Sequence, residues 1–192
     1  MDFLIHLDHT LFIIINQKLA SSWQDAFFPF ITDLHRQVWF KLIFYPVILA
    51  IFSFKYKKLA LIYFLFCLLS VGVTDFTGNV IFKRNVERQR PFEVPELKVI
   101  KRSSAHGQSF ISNHSANMFA FATFASAFIP AGRFLFFAFA GIIAYSRVYN
   151  GVHFPLDVAC GSMWCISISL LFILLAKWTV KKLTARKESL SV

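Results

Sequence analysis

Three short runs of this chain join groups that can hold an anion to groups that can move a proton. The first is Lys83-Arg84-Asn85-Val86-Glu87-Arg88-Gln89-Arg90-Pro91. Lys83 and Arg90 are about two helical turns apart, so a helix continuing through the run would present both on one face until Pro91 stopped it. Two cations on one face suit a phosphate, Arg as a forked donor and Lys as a point charge. The plainer reading is a basic cluster against anionic lipid head groups. The second run, Ser109-Phe110-Ile111-Ser112-Asn113-His114, leads into an apolar segment. Ser112 or Asn113 suits a helix N-cap, and helix N-termini bind anions through unpaired N–H groups and the dipole. His114 in the first turn would sit beside that anion as a proton donor or acceptor; an ordinary cap with an interfacial His is the bland alternative.

The third run is Ser146-Arg147-Val148-Tyr149-Asn150-Gly151-Val152-His153-Phe154-Pro155-Leu156-Asp157. Pro155 suits the first turn of a helix. His153 and Asp157 are four apart, which lets the carboxylate accept a hydrogen bond from one ring nitrogen and leave the other as nucleophile or base. Arg147 closes the preceding apolar segment and can lean toward the same point.

The elements that must position these runs are membrane spans. The chain has 192 residues, 57% hydrophobic and only 16% charged, with 25 Phe and a mean hydropathy of +0.59. A soluble domain is nearer 45–50% apolar and about 25% charged. Disorder, collagen and a disulfide-stapled domain are excluded. Stretches 38–54, 59–82, 115–128, 134–149 and 155–178 are apolar enough for spans of about 20 residues, the third being the shortest. Residues 1–37 are broken by Asp8, Gln17, Lys18 and Asp25 and read as helices lying in the interface, with a tilted sixth span as the alternative. The expected fold class is therefore an all-α membrane bundle of about five to six transmembrane helices. It forms one domain over 1–192, with a loop region at 83–113 and a tail at 179–192. Alternation across the bilayer puts Lys83, Arg90, His114, Arg147, His153 and Asp157 on one face, and the kit for phosphoryl transfer with them.

The spacing Lys83-x6-Arg90-Pro91, then Ser112-Asn113-His114, then Ser146-Arg147-x5-His153-x3-Asp157 resembles the three-part signature of the type 2 phosphatidic acid phosphatase superfamily. The likeness covers 83–157 and the helical layout around it. The middle part departs from the usual Pro-Ser-Gly-His, having Ile111 for Pro and Asn113 for Gly. The resemblance implies that His153 attacks phosphorus to form a phosphohistidine, that Asp157 orients its ring, and that His114 is the general acid. It further implies that Lys83, Arg90, Arg147, the Ser112 hydroxyl and the Asn113 N–H hold the phosphoryl oxygens. It implies no cofactor and no metal, and the sequence has no His, Cys, Asp or Glu cluster with ligand spacing. The implied substrate is a membrane lipid phosphate or diphosphate, undecaprenyl diphosphate first, lipid A 1-phosphate or phosphatidylglycerophosphate next. Bacterial members of this kind sit in the inner membrane with the site facing the periplasm.

The net charge of +10 fits this arrangement. Lys55, Lys57, Lys58, Arg133, Lys177, Lys181, Lys182, Arg186 and Lys187 share one side, which puts the tail weakly in the cytoplasm by the positive-inside rule. Lys18, Arg36, Lys83, Arg84, Arg88, Arg90, Lys98, Lys101, Arg102 and Arg147 share the other. The excess is not a nucleic-acid signal, and no oligomeric state follows from it. Asp75, Asn79 and Lys83 form a polar stripe in the second span, in which Asp75 either backs the basic cluster or binds a neighbouring helix. Residues 92–108 form either a headgroup-reading lid or a mobile surface loop. Cys67, Cys160 and Cys165 lie in apolar runs and read as small hydrophobes. Two other functions remain open: a phosphatase for a small soluble ester, and a non-catalytic protein binding anionic lipid.

Overall fold

The computed structural model describes residues 2–34 and 37–189; Arg36 and the last three residues of the 179–192 tail, both weighed above, lie outside the described residues. The helices, in chain order, are α1 (Asp2–Ile13), α2 (Ser22–Asp33), α3 (Val38–Tyr56), α4 (Ala60–Thr77), α5 (Asn113–Phe128), α6 (Arg133–Tyr149) and α7 (Pro155–Ser189), and no strand occurs among the described residues. Wider π turns extend α1 over Ile14–Lys18 and α4 over Gly78–Lys83.

Val38–Lys83 is apolar throughout, yet it is not one long rod. Lys57 has a φ of 48° and turns the chain back, so α3 and α4 form a hairpin whose Phe52 and Tyr63 rings stack. Pro130–Tyr149 and Pro155–Lys187 are the other stretches long and apolar enough to cross a bilayer. The third expected span is different. At 16 residues α5 is about 24 Å long, short of a hydrocarbon core of about 30 Å. It is the central post of the bundle, packed by α4, α6 and α7. Ala116, Ala120, Ala122 and Ala125 are buried along it, and their small side chains let those neighbours approach closely. A helix walled in by protein needs no lipid-facing apolar coat, which is why its hydropathy is weak.

Outward-facing surface on the other helices is apolar, with Phe54 88% and Phe134 80% exposed. That surface suits lipid and not water. The N-terminal helix shows the same inversion: Phe3, Leu4, Leu7 and Leu11 face out, while Asp8, Phe12 and Asn16 are buried. Its inner face packs on Phe154 and the start of α7, so it is more than a helix resting on the interface.

The molecule has two distinct ends. Lys55 Nζ and Tyr56 OH donate to the Phe128 carbonyl at 2.8 and 2.7 Å, placing the 55–58 turn at the C-terminal end of α5. Ser115 Oγ bonds the Val158 carbonyl and Ser169 Oγ the Ala120 carbonyl, so α7 runs parallel to α5 and carries its basic tail past that same end. All three chemically suggestive runs gather at the opposite end, around the N-terminus of α5.

Candidate active site

The helix that ends at Lys83 does not continue to Arg90, contrary to the expectation of a shared helical face. Arg84 begins a turn, and Arg90 sits in extended backbone (φ −78°, ψ 155°). The two cations nevertheless meet, because the loop folds back and its Gln108 carbonyl accepts from Lys83 Nζ at 2.9 Å and Arg90 Nη2 at 3.2 Å. Arg90 is 4% exposed. Its guanidinium is also fixed by the carbonyls of His106 (2.9 Å), Gly107 (2.7 Å) and Val152 (2.8 Å), so its position is set before any anion arrives. The loop itself is fastened, not a lid and not loose. Asn16 donates to the Ile100 and Tyr149 carbonyls and accepts from Ile100 N. Arg102 ties the same segment to Asn16, Tyr149 and Asp25.

His153 is 2% exposed. Burial, chiefly, pushes its imidazole down to about pKa 3, with Arg147 and Arg90 acting in the same sense and Asp157 against it. It is neutral at ordinary pH. Its Nε2 lies 3.3 Å from Arg90 Nη1, which assigns Nε2 the lone pair and Nδ1 the proton. Nδ1 is 3.6 Å from Asp157 Oδ2, within ion-pair range but too long for the hydrogen bond the spacing predicted. The reason is that Asp157 already accepts from Ser109 Oγ at 2.5 Å, Phe154 N at 2.8 Å and Arg88 Nη1 at 2.5 Å. Arg147 ends α6 with its Nη1 on Thr32 Oγ1 at 2.9 Å, and its carbonyl accepts from the His153 N–H.

The N-terminus of α5 supplies the remaining groups. Ser112 occupies the N-cap position, but its side chain makes no capping bond. It is fully buried, and its hydroxyl has no partner among the described residues. Asn113 turns its amide to Asp75 Oδ1 at 3.1 Å, where Asn117 also donates at 2.8 Å. Its oxygen fits there because Gly78 has no Cβ, which would come within 2.9 Å of it. Asp75 thus binds a neighbouring helix and backs the site at once. Ile111, where the family pattern has Pro, is fully buried.

Lys83, Arg90, Asn113, His114, Arg147 and His153 line one end of a single cavity of about 830 Å³. Its other end is apolar, walled by Phe44, Ile48, Phe64, Leu68 and Phe121. Asp157 stands behind His153, outside the lining, and Ser112 does not reach it. No group of three His, Cys, Asp or Glu able to hold a metal occurs among the described residues. The sequence reading missed Arg88, Ser109, Asp8 and Thr32 as parts of the site's support. Asp8 carried a signal, as a carboxylate in an apolar run; Thr32 carried none.

The sequence model of the PAP2 superfamily matches residues 60–181, a segment containing all three runs. This chain belongs to the PAP2 superfamily. The PAP2 chain is 29% identical over 168 residues to the lipid A 4'-phosphatase of Porphyromonas gingivalis, covering 84% of this chain and 69% of that one. It is 26% identical over 129 residues to the bacitracin transport permease protein BcrC of Bacillus licheniformis, covering 67% of this chain and 61%, less than two thirds, of the relative. The crystal structure of Aquifex aeolicus LpxE matches with a TM-score of 0.64 at 28% identity, over 85% of this chain and 93% of the other. The first transmembrane PAP2-type phosphatidylglycerolphosphate phosphatase from Bacillus subtilis shares the fold with a TM-score of 0.67 at 24% identity, covering 95% and 88%. With these membrane relatives and its apolar helices, this PAP2 protein is an integral membrane protein.

Proposed function

We propose that this PAP2 protein hydrolyses a lipid phosphate or diphosphate through a phosphohistidine on His153. One observation carries the reading: the cations and histidines open onto the same cavity as an apolar groove between α3, α4 and α5. A phosphate at the polar end leaves an acyl or prenyl tail in the groove. His153 Nε2, neutral and beside Arg90, attacks phosphorus while the bond to the leaving oxygen breaks. His114 protonates that oxygen. Lys83, Arg90, Arg147 and the N–H groups at the start of α5 hold the phosphoryl oxygens as charge builds. Water then attacks the phosphohistidine, phosphate leaves, and His153 is regenerated. Asp157 orients His153 from behind, and Asp75 supports Asn113. Ser112 acts through its backbone rather than the hydroxyl first expected.

Lipid A is favoured among substrates by the relative that matches over most of the chain; undecaprenyl diphosphate and phosphatidylglycerophosphate follow. The proposed setting is a bacterial inner membrane with the site on the periplasmic face and the α7 tail in the cytoplasm. Purified protein in detergent is assayed for phosphate release on all three lipids, with p-nitrophenyl phosphate as a soluble probe and with EDTA present or absent. The expected result is EDTA-insensitive turnover of a lipid, lost by about 10³-fold or more in His153→Ala and by about 10²–10⁴-fold in His114→Ala. Full turnover by His153→Ala sinks the phosphohistidine step. Turnover of the soluble ester alone favours the small-substrate reading, and no turnover at all favours a lipid-binding protein.

A further inference from the structure

Asp157 is fully buried, and the groups that hold it come from distant parts of the chain. Arg88 donates through Nη1 to Asp157 Oδ1 at 2.5 Å, and through Nη2 to Asp8 Oδ2. Asp8 belongs to α1, and its side chain is fully enclosed. Its other oxygen accepts from the Leu156 N–H at 2.8 Å, on the turn that leads from His153 to Asp157. Between these contacts lies Phe154, with the Arg88 guanidinium over its ring at 4.4 Å and His9 stacked on it at 5.0 Å. The Arg88 carbonyl accepts from Ser109 N, and the Ser109 hydroxyl donates to Asp157 Oδ2. One arginine therefore bridges two buried carboxylates, clamps the residue next to His153, and anchors the loop that carries Arg90. A guanidinium fork suits this double role, which a single ammonium does not.

We propose that Asp8 and Arg88 are positioning residues: with Asp157 they form a relay through which the N-terminal helix orients His153 and balances the charge it sees. The inference rests on His153 being the reactive group. Charged and titratable neighbours that face His153 directly are Arg90 and Lys83 from the loop side, His114 from α5, Arg147 from α6 and Asp157 from α7. The Cys160 thiol of α7 faces Asp157, Arg88 and Asp8. Within this set Arg88 is the cation bonded to Asp157, so removing it leaves the carboxylate's field on His153 uncompensated. Removing the Asp8 charge does the reverse.

Two measurements test the relay. In the first, His153 is titrated by ¹⁵N NMR of histidine-labelled protein in detergent, its signal identified with His153→Asn. Arg88→Gln is expected to raise the titration by about one pH unit, the scale of one unit charge in a partly buried site. Asp8→Asn is expected to lower it or leave His153 neutral throughout. This arm needs no turnover, so it stands even if the protein hydrolyses nothing. In the second, kinetics on dioleoyl phosphatidic acid micelles are expected to show kcat down about 10- to 100-fold in Arg88→Gln with KM within twofold. Arg88→Lys is expected to recover part of this, and Asp8→Asn/Arg88→Gln to be no worse than Arg88→Gln alone. An unchanged His153 titration in both Arg88→Gln and Arg88→Lys overturns the relay, as does native kcat in Arg88→Gln. Additive losses in the double variant overturn Asp8's place in it.

Discussion

His153 has a solvation history that can be read in a titration. The folded protein resists protonating it until about pH 3 because of burial, whereas the unfolded chain takes up that proton near 6.5. Between those values the unfolded state binds more protons, so stability rises with pH across this window. The contribution present above about pH 6.5 is therefore lost progressively as the pH falls toward 3. Thermal melts of the native protein and His153→Asn in detergent, taken from pH 7.5 to 4.5, are expected to converge at the acid end, with the native losing more. Parallel curves would contradict a buried, neutral imidazole. Arg90 offers a second test at this scale. Its guanidinium uses Nε, Nη1 and Nη2 to reach four carbonyls, a pattern Lys has too few directed donors to copy. Arg90→Lys is expected to lower kcat/KM for a lipid phosphate by about 100-fold or more, measured by phosphate release.

At the scale of elements, the site depends on how closely α7 approaches the N-terminus of α5. A Cβ on Gly161 would lie 2.8 Å from the Ser112 carbonyl oxygen, and a backbone atom does not swing aside. Gly161→Val should push the first turn of α5 away from His153 and lower kcat by about 10- to 100-fold, since misplacement of about 1 Å is costly in an aligned site. A Tm drop with kcat intact would argue against it. The loop depends in the same way on Asn16, which imitates a strand partner for Ile100. Asn16→Ala is expected to increase amide exchange across residues 97–103 while leaving α5 protected, read by hydrogen-exchange mass spectrometry. None of this was legible in the sequence. A lone Asn in an N-terminal apolar run gives no hint of partners more than 80 residues away, whereas the helix boundaries at Pro91, Ser112 and Pro155 were set by local caps and stops and could be read directly.

For the whole molecule, the decisive feature is polarity along the bundle axis. Phosphate-binding groups lie at one end, the basic turn 55–58 and the tail of α7 at the other, with an apolar groove between. Gly72 lines that groove, and a Cβ there meets nothing within 4 Å. Gly72→Phe should fill the tail channel without disturbing the fold. It is expected to raise KM for a long-chain lipid phosphate about tenfold while leaving p-nitrophenyl phosphate turnover within twofold; equal effects on both would place the tail elsewhere.

The sequence alone determined the class of the protein and the chemistry of its site. A chain with 25 Phe and so few charges had to be helical in lipid, because only helices or closed barrels satisfy every backbone group there. Cations and histidines kept at span ends against that cost marked the phosphate-handling end. Tertiary structure decided how those groups are held. Lys83 and Arg90 meet through the Gln108 carbonyl instead of a helix face. Asp157 is set by Arg88 and Ser109 more than by His153. The N-terminal helix reaches the centre of the site through Asp8. Spacing along a chain reports which side chains share an element, but a buried carboxylate takes whichever donors the fold brings to it. Those donors came from far away in the sequence.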